Sequence, residues 1–204
     1  MFGFSSRGNT VFTLEVPGKA GLLGMSACPG VRLETARRGN PVRNLKKDIA
    51  AYQEWGATGV VSLIEEHELK DWGVAHLGEA LEEAGIWWKQ LPIVDMDVPT
   101  PEFERAWAVE SPQLKASLEM GERIVFHCLA GLGRTGMMLG RLLVEHGLTP
   151  PEAIVHVRRV RPRAIQTQAQ EDYVRACGTP SSKENRWARL HRSTGNRDEA
   201  EGAA

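Results

Sequence analysis

Cysteine is scarce in this chain. Cys28, Cys128 and Cys177 are three thiols among 204 residues, too few and too far apart for a disulfide framework or a Cys-x-x-Cys zinc site. A reducing, cytoplasmic setting fits that usage. Charge of one sign is lacking as well: 25 Lys and Arg stand against 26 Asp and Glu, a formal net of −1, which disfavours a binder of nucleic acid or of an anionic membrane. No stretch reaches the roughly 18 apolar residues that a spanning helix needs. The opening MFGFSSRGNTVFTLEV has no basic region followed by a long apolar run, so no secretory leader is expected.

What is present is an alternation of short apolar runs and helical patterns. VFTLEV and GLLGMS read as short strands or an extended lead-in. RNLKKDIAAYQEWGA carries Leu45, Ile49 and Tyr52 at helical spacing and stops near Gly56. TGVVSLI is continuously apolar, the mark of a strand in a parallel sheet. EEHELKDWGVAHLGEALEEAG reads as a polar loop, then a helix closed by Gly85. IWWKQLPIV is a strand running into the acidic loop DMDVPTP; adjacent Trp87 and Trp88 there must point to opposite faces. From Thr100 to Gly121 the pattern is helical, with an interruption or kink expected at Ser111-Pro112. RIVFHC is a strand, and RTGMMLGRLLVEHG, TPPEAIVHVRRVRP and IQTQAQEDYVRACG are helices. The sum predicts an α/β fold with a mainly parallel central sheet of four to five strands flanked by helices. Residues 1–178 are expected to form one domain, in which 1–21 can serve as an extended lead-in, and 179–204 are expected to form a polar, flexible tail with a short helix around Trp187.

The junction HCLAGLGRTG, residues 127–136, carries the chemistry. In open α/β sheets ligands bind beyond the carboxyl ends of strands, where loops feed helix N-termini. A Gly-rich loop there can turn successive N–H groups inward as an anion nest, and the helix adds its partial positive charge. Leu129, Ala130, Gly131, Leu132 and Gly133 would supply those amides, with Gly136 just inside the helix. No Gly-Lys-Ser/Thr follows, so this is not a Walker loop. Cys128 enters the loop and Arg134 leaves it. In such a field a thiol falls from its usual pKa of about 8.5 towards the reactive range and becomes a nucleophile. The planar fork of Arg134 can grip two phosphoryl oxygens. Thr135 can donate a hydrogen bond to the thiolate, and His127 orients the loop rather than transferring protons.

His-Cys, five residues, Arg and then Ser or Thr resembles the signature of the cysteine-dependent protein-tyrosine and dual-specificity phosphatases. LGMSACPG, VRNLKKDIAAYQEWGATGVVSLIEEHEL, GIWWKQLPIVDMDVPTP and AIQTQAQEDYV extend the likeness, in order, to the kinase-associated phosphatase branch over about residues 22–175. The resemblance implies a general acid in a Pro-Ile-x-Asp pattern, which Pro92-Ile93-Val94-Asp95 fits; Asp97, two residues on, is the alternative. It implies that Gln166 orients the attacking water, with Gln170 one helical turn on and able to assist. The implied activity is hydrolysis of a phosphoprotein through a phosphocysteine, without cofactor or metal.

Alternatives are a phosphatase of phosphoinositides or RNA 5′-phosphates, and a non-catalytic phospho-binding module. Phosphoinositide-directed relatives tend to carry lysines inside the loop, where this chain has Leu129 and Leu132. The expected partner is a phosphorylated protein, with no nucleic acid and no membrane, and a monomer fits. Arg37, Arg38, Arg43, Lys46 and Lys47 concentrate positive charge around the first helix; a solvated face is their commoner meaning and an acidic substrate the sharper one. Cys28 and Cys177 read as buried small hydrophobes; a resolving role for either has no support in the sequence.

Overall fold

The computed structural model describes residues 10–31 and 44–178. Arg37, Arg38 and Arg43, the tail 179–204 and the helix expected around Trp187 lie outside the described residues. Five strands, β1 (Phe12–Glu15), β2 (Leu22–Ser26), β3 (Gly59–Ser62), β4 (Trp87–Gln90) and β5 (Arg123–His127), form one sheet in the order β1-β2-β5-β3-β4. The β2–β5, β5–β3 and β3–β4 pairs are parallel, and β1 closes one edge antiparallel to β2. VFTLEV is thus an edge strand of the sheet rather than a lead-in outside it.

The apolar pattern decides which helices lie on which face. Along β5, Ile124 and Phe126 join the core under α4 (Pro101–Glu119), α5 (Gly133–Glu145), α6 (Pro150–Val160) and α7 (Gln168–Ala176). Val125 points the other way, into a second core with Ile49 and Tyr52 of α1 (Leu45–Trp55), Leu69 of α2 (Glu66–Asp71) and Leu77 and Leu81 of α3 (Leu77–Glu83). Trp87 packs on the first core and Trp88 on the second, so the adjacent tryptophans do face opposite ways.

Three local expectations need correction. The segment read as a polar loop contains α2: the Glu65 side chain caps the Glu68 N–H while the Glu68 carboxylate accepts from the Glu65 N–H, a reciprocal box that starts a helix of six residues. No interruption occurs at Ser111-Pro112, because α4 runs through both residues. Pro112 and Ala108 lie on its exposed face, so the carbonyl that proline leaves without a donor faces water. The last helix begins at Gln168, and residues 164–167 are extended or bent lead-in to its Thr167 cap.

Candidate active site

β5 ends at His127, and its chain runs through Cys128 and a five-residue loop into α5, whose first turn holds Arg134 and Thr135. The loop's carbonyls are anchored one after another. The Cys128 carbonyl accepts from His127 Nδ1 at 3.2 Å, that of Leu129 from the Cys28 N–H at 3.0 Å, and that of Ala130 from Arg161 at 3.4 Å. In a trans peptide the following N–H points opposite to the carbonyl, so fixing these three aims the amides of residues 129–131 the other way. Among the described residues, none of the N–H groups of residues 129–134 donates to a protein acceptor. A row of free amides at a helix start is an anion cradle. Gly131 makes the turn possible: its φ is +68°, and a Cβ there would lie 2.1 Å from the Ser26 carbonyl oxygen.

Arg134 is buried at 1% exposure. Its two terminal nitrogens meet both carboxylate oxygens of Glu68 at 2.6 and 3.0 Å, and the second also pairs with Asp95 Oδ1 at 2.8 Å. The Ile93 carbonyl accepts a further bond at 3.0 Å. Burial opposes this charge, but the Glu68 hydrogen bonds and the nearby Cys128 and Asp95 outweigh it and hold the guanidinium above its ordinary pKa. Glu68 answers in the same way: burial pushes its carboxyl up, and Arg134 pulls it further down, below the usual range. Arg134 Nε and the fully buried Thr135 hydroxyl have no hydrogen-bond partner among the described residues, so the expected Thr135 bond to the thiol is not formed in this structure. Cys128 itself is 3% exposed.

Two more loops close on this junction. Asp95 and Asp97 are both exposed, but Asp95 reaches Arg134 while Asp97 Oδ1 accepts the Val98 N–H at 2.8 Å in a local turn. Met96 between them takes a φ of +63°. Gln166 and Gln170 lie against the phosphate-type loop, since a Cβ on Gly133 would meet their side-chain oxygens at 2.8 and 3.0 Å. Gln166 is exposed and precedes the helix cap. Gln170 is fully buried: its Oε1 accepts the Gln166 and Thr167 N–H groups at 3.0 and 3.4 Å, and its Nε2 donates to the Asp97 carbonyl at 3.3 Å. That engagement makes Gln170 a tie between the acid-bearing loop and the glutamine loop rather than a second hand on water. Gly136 is close-packed too, because a Cβ there would lie 2.9 Å from both Ala164 and Ile165.

His127 is fully buried, and burial pushes its pKa down to about 4, with Arg134 adding to the effect, so at neutral pH it holds a position and no charge. The Cys177 thiol is pushed up to about 12 by burial, which makes it a poor partner for redox exchange. Cys28 is fully buried beside the loop it anchors. Lys46 and Lys47 are exposed on α1, with a solvated-face character. Sequence reasoning missed Glu68 and Arg161. The signal for Glu68 was the Glu65/Glu68 pair at capping-box spacing; nothing in the sequence singled out Arg161 from its neighbouring arginines.

Known proteins resemble the chain in sequence and in fold. The profile of the family described as "Polymorphic toxin system, DSP-PTPase phosphatase" matches residues 36–148. The chain is 30% identical over 155 residues to cyclin-dependent kinase inhibitor 3 of Rattus norvegicus, covering 74% of this chain and 69% of the relative. It is 46% identical over 49 residues to tyrosine-protein phosphatase CDC14 of Candida albicans, a stretch of 24% of this chain and 9% of that one. The crystal structure of the kinase associated phosphatase with its catalytic-site cysteine replaced by serine has the same fold, with a TM-score of 0.73 at 23% identity, over 83% of this chain and 94% of that one. The chain belongs to the DSP-PTPase phosphatases, the cysteine-dependent protein-tyrosine and dual-specificity enzymes, close to the kinase-associated phosphatase branch.

Proposed function

We propose that the chain hydrolyses phosphate monoesters of proteins through a phosphocysteine formed on Cys128. The observation that carries the reading is the buried Arg134 beside Cys128, at the end of a loop whose amides at 129–134 have no protein acceptor. A phosphoryl dianion fits there, accepting from the amides and from the Arg134 fork in place of Asp95. The Cys128 sulfur attacks phosphorus in line, the bond from phosphorus to the leaving oxygen breaks, and Asp95 passes its proton to that oxygen. Water held by Gln166 then attacks the phosphocysteine while Asp95 takes a proton back. The sulfur departs, helped by the Thr135 hydroxyl, whose lack of another partner leaves it free to donate. Asp95 is preferred over Asp97 because it reaches Arg134 while Asp97 is spent on its own turn.

The substrate proposed is a phosphorylated protein, and the setting a reducing, cytoplasmic one, in line with the sparse and scattered cysteines. Among the described residues no helix is long and apolar enough to cross a membrane. Phosphopeptides, inositol phosphates and 5′-triphosphorylated RNA offered to wild type and to Cys128→Ser test the reading. Cys128-dependent release of phosphate from the peptides supports it. Release confined to inositol phosphates or RNA, or release by Cys128→Ser, overturns it.

A further inference from the structure

We infer that Ser62 and Trp88 are positioning residues for the phosphate loop, acting through the His127 ring on the Cys128 carbonyl. The activity part rests on the phosphocysteine reading above; the ring geometry stands apart from it. Trp88 on β4 donates its indole N–H to Ser62 Oγ at 2.7 Å. Ser62, the fully buried last residue of β3, lies 2.5 Å from His127 Nε2. The parallel register sets Ser62 directly beside His127, and Trp88 one diagonal step away on the same face. The Trp88 ring is held from above by α3, where a Cβ on Gly78 would lie 2.4 Å from it.

The direction of this chain follows from donor and acceptor chemistry. A carbonyl can only accept, so His127 Nδ1 must carry the proton in its bond to Cys128. The buried ring is neutral at physiological pH and has one proton, so Nε2 is bare and takes the Ser62 hydroxyl hydrogen. Having spent its hydrogen, Ser62 has lone pairs left for Trp88, which can only donate. Each link fixes the next, from the half-buried indole to the first peptide of the loop. Without the Ser62 hydroxyl, Nε2 becomes a buried acceptor with no donor, and the ring loses the bond that fixes its plane against the Cys128 carbonyl. The bond from Nδ1 to the Cys128 carbonyl then loosens, and the Leu129 N–H loses its aim.

Nitrogen-15 NMR of the histidine rings in the full chain, with His127→Gln to assign the signals, reads both the tautomer and the hydrogen bond at Nε2. Wild type should show His127 as the Nδ1–H form, without titration from about pH 5.5 to 8. Ser62→Ala should keep the Nδ1–H form but move the Nε2 signal downfield, to the position of an acceptor without a donor, and lower kcat on p-nitrophenyl phosphate about tenfold with little change in KM. Ser62→Thr should restore both. Trp88→Phe, which keeps an aromatic ring and drops the donor, should move both in the same direction by less, and serves if Ser62→Ala does not fold. An Nε2–H ring in wild type, or an Nε2 signal unmoved in both Ser62→Ala and Trp88→Phe, overturns the inference. A wild type inactive on every aryl phosphate would sink the phosphocysteine reading instead, and the ring-nitrogen signals would still decide this one.

Discussion

Replacing Glu68 with Gln should weaken both the fold and the catalysis, and the size of each effect follows from the contacts. Glu68 is 12% exposed and meets Arg134 through both oxygens at 2.6 and 3.0 Å, while Arg134 is 1% exposed. Orphaning a buried charge costs about 3–5 kcal/mol. Arg134 is not orphaned here, because the Ile93 carbonyl and Asp95 stay in place. About 1–2 kcal/mol is therefore expected for Gln, which keeps one acceptor. For Ala, which keeps none, the loss should approach the lower end of the orphaned-charge range. Urea unfolding measures both. With its fork no longer held in plane, Arg134 should also misplace the phosphoryl group, lowering kcat/KM on p-nitrophenyl phosphate about 10- to 100-fold, or about 1.4–2.8 kcal/mol of barrier. The sign with pH is fixed. Burial opposes the Glu68 charge but Arg134 outweighs it, so the folded pKa lies below the unfolded value of about 4.3. The stabilisation is complete above that value and lost as pH falls through the lower folded one, so wild type and Glu68→Gln should converge in stability in that acid range. A Glu68→Gln protein with unchanged urea midpoint and unchanged kcat/KM at neutral pH refutes the reasoning.

Asp95→Ala should lower kcat about 100-fold or more and steepen the dependence of rate on leaving-group pKa, whereas Asp97→Ala should change kcat only a few-fold; kinetics on a series of aryl phosphates separates the two. Gly131→Ala forces a Cβ into the Ser26 carbonyl at a φ of +68°, so it should cost about 2 kcal/mol or more in urea and abolish turnover. His127 is buried neutral at about 4 against an unfolded value of about 6.5, so the unfolded chain binds the extra proton between those limits. Stability should therefore fall by about 3 kcal/mol from pH 7 to pH 4 through this group, and a His127→Gln variant should lack that part of the slope in urea titrations.

The strand–loop–helix at residues 123–147 was legible because its pattern is local: an apolar run, a thiol, glycines, an arginine and an amphipathic helix in register. The five-stranded parallel-centred sheet was legible for the same reason, from TGVVSLI and RIVFHC as continuous apolar runs. Glu68 was not, because its meaning lies in a contact 66 residues away with Arg134, and six residues of helix give too little periodicity to stand out from a loop. Gln170 was misjudged because its spacing from Gln166 was read as one continuous helix; the cap at Thr167 falls between them, and burial turns the side chain to backbone ties. Pro112 shows the converse: a helix breaker read correctly by its local chemistry was overridden by the packing of Ser111 and Leu114 on one face of α4 and by solvent on the other. Ser62 and Trp88 carried no signal, since a serine in an apolar strand declares its partner only once β3, β4 and β5 are side by side.

The central claim is that Cys128 carries the phosphoryl group between two half-reactions, and the direct measurement is its capture. Wild type mixed with p-nitrophenyl phosphate, quenched in acid within one turnover and digested, should yield by mass spectrometry a phosphorylated peptide whose modified residue is Cys128. Asp95→Ala should change the yield at that residue without moving the site, and Cys128→Ser should give neither modified cysteine nor product. Product formation at the wild-type rate by Cys128→Ser, or phosphate found on another residue of the wild type, would contradict the account.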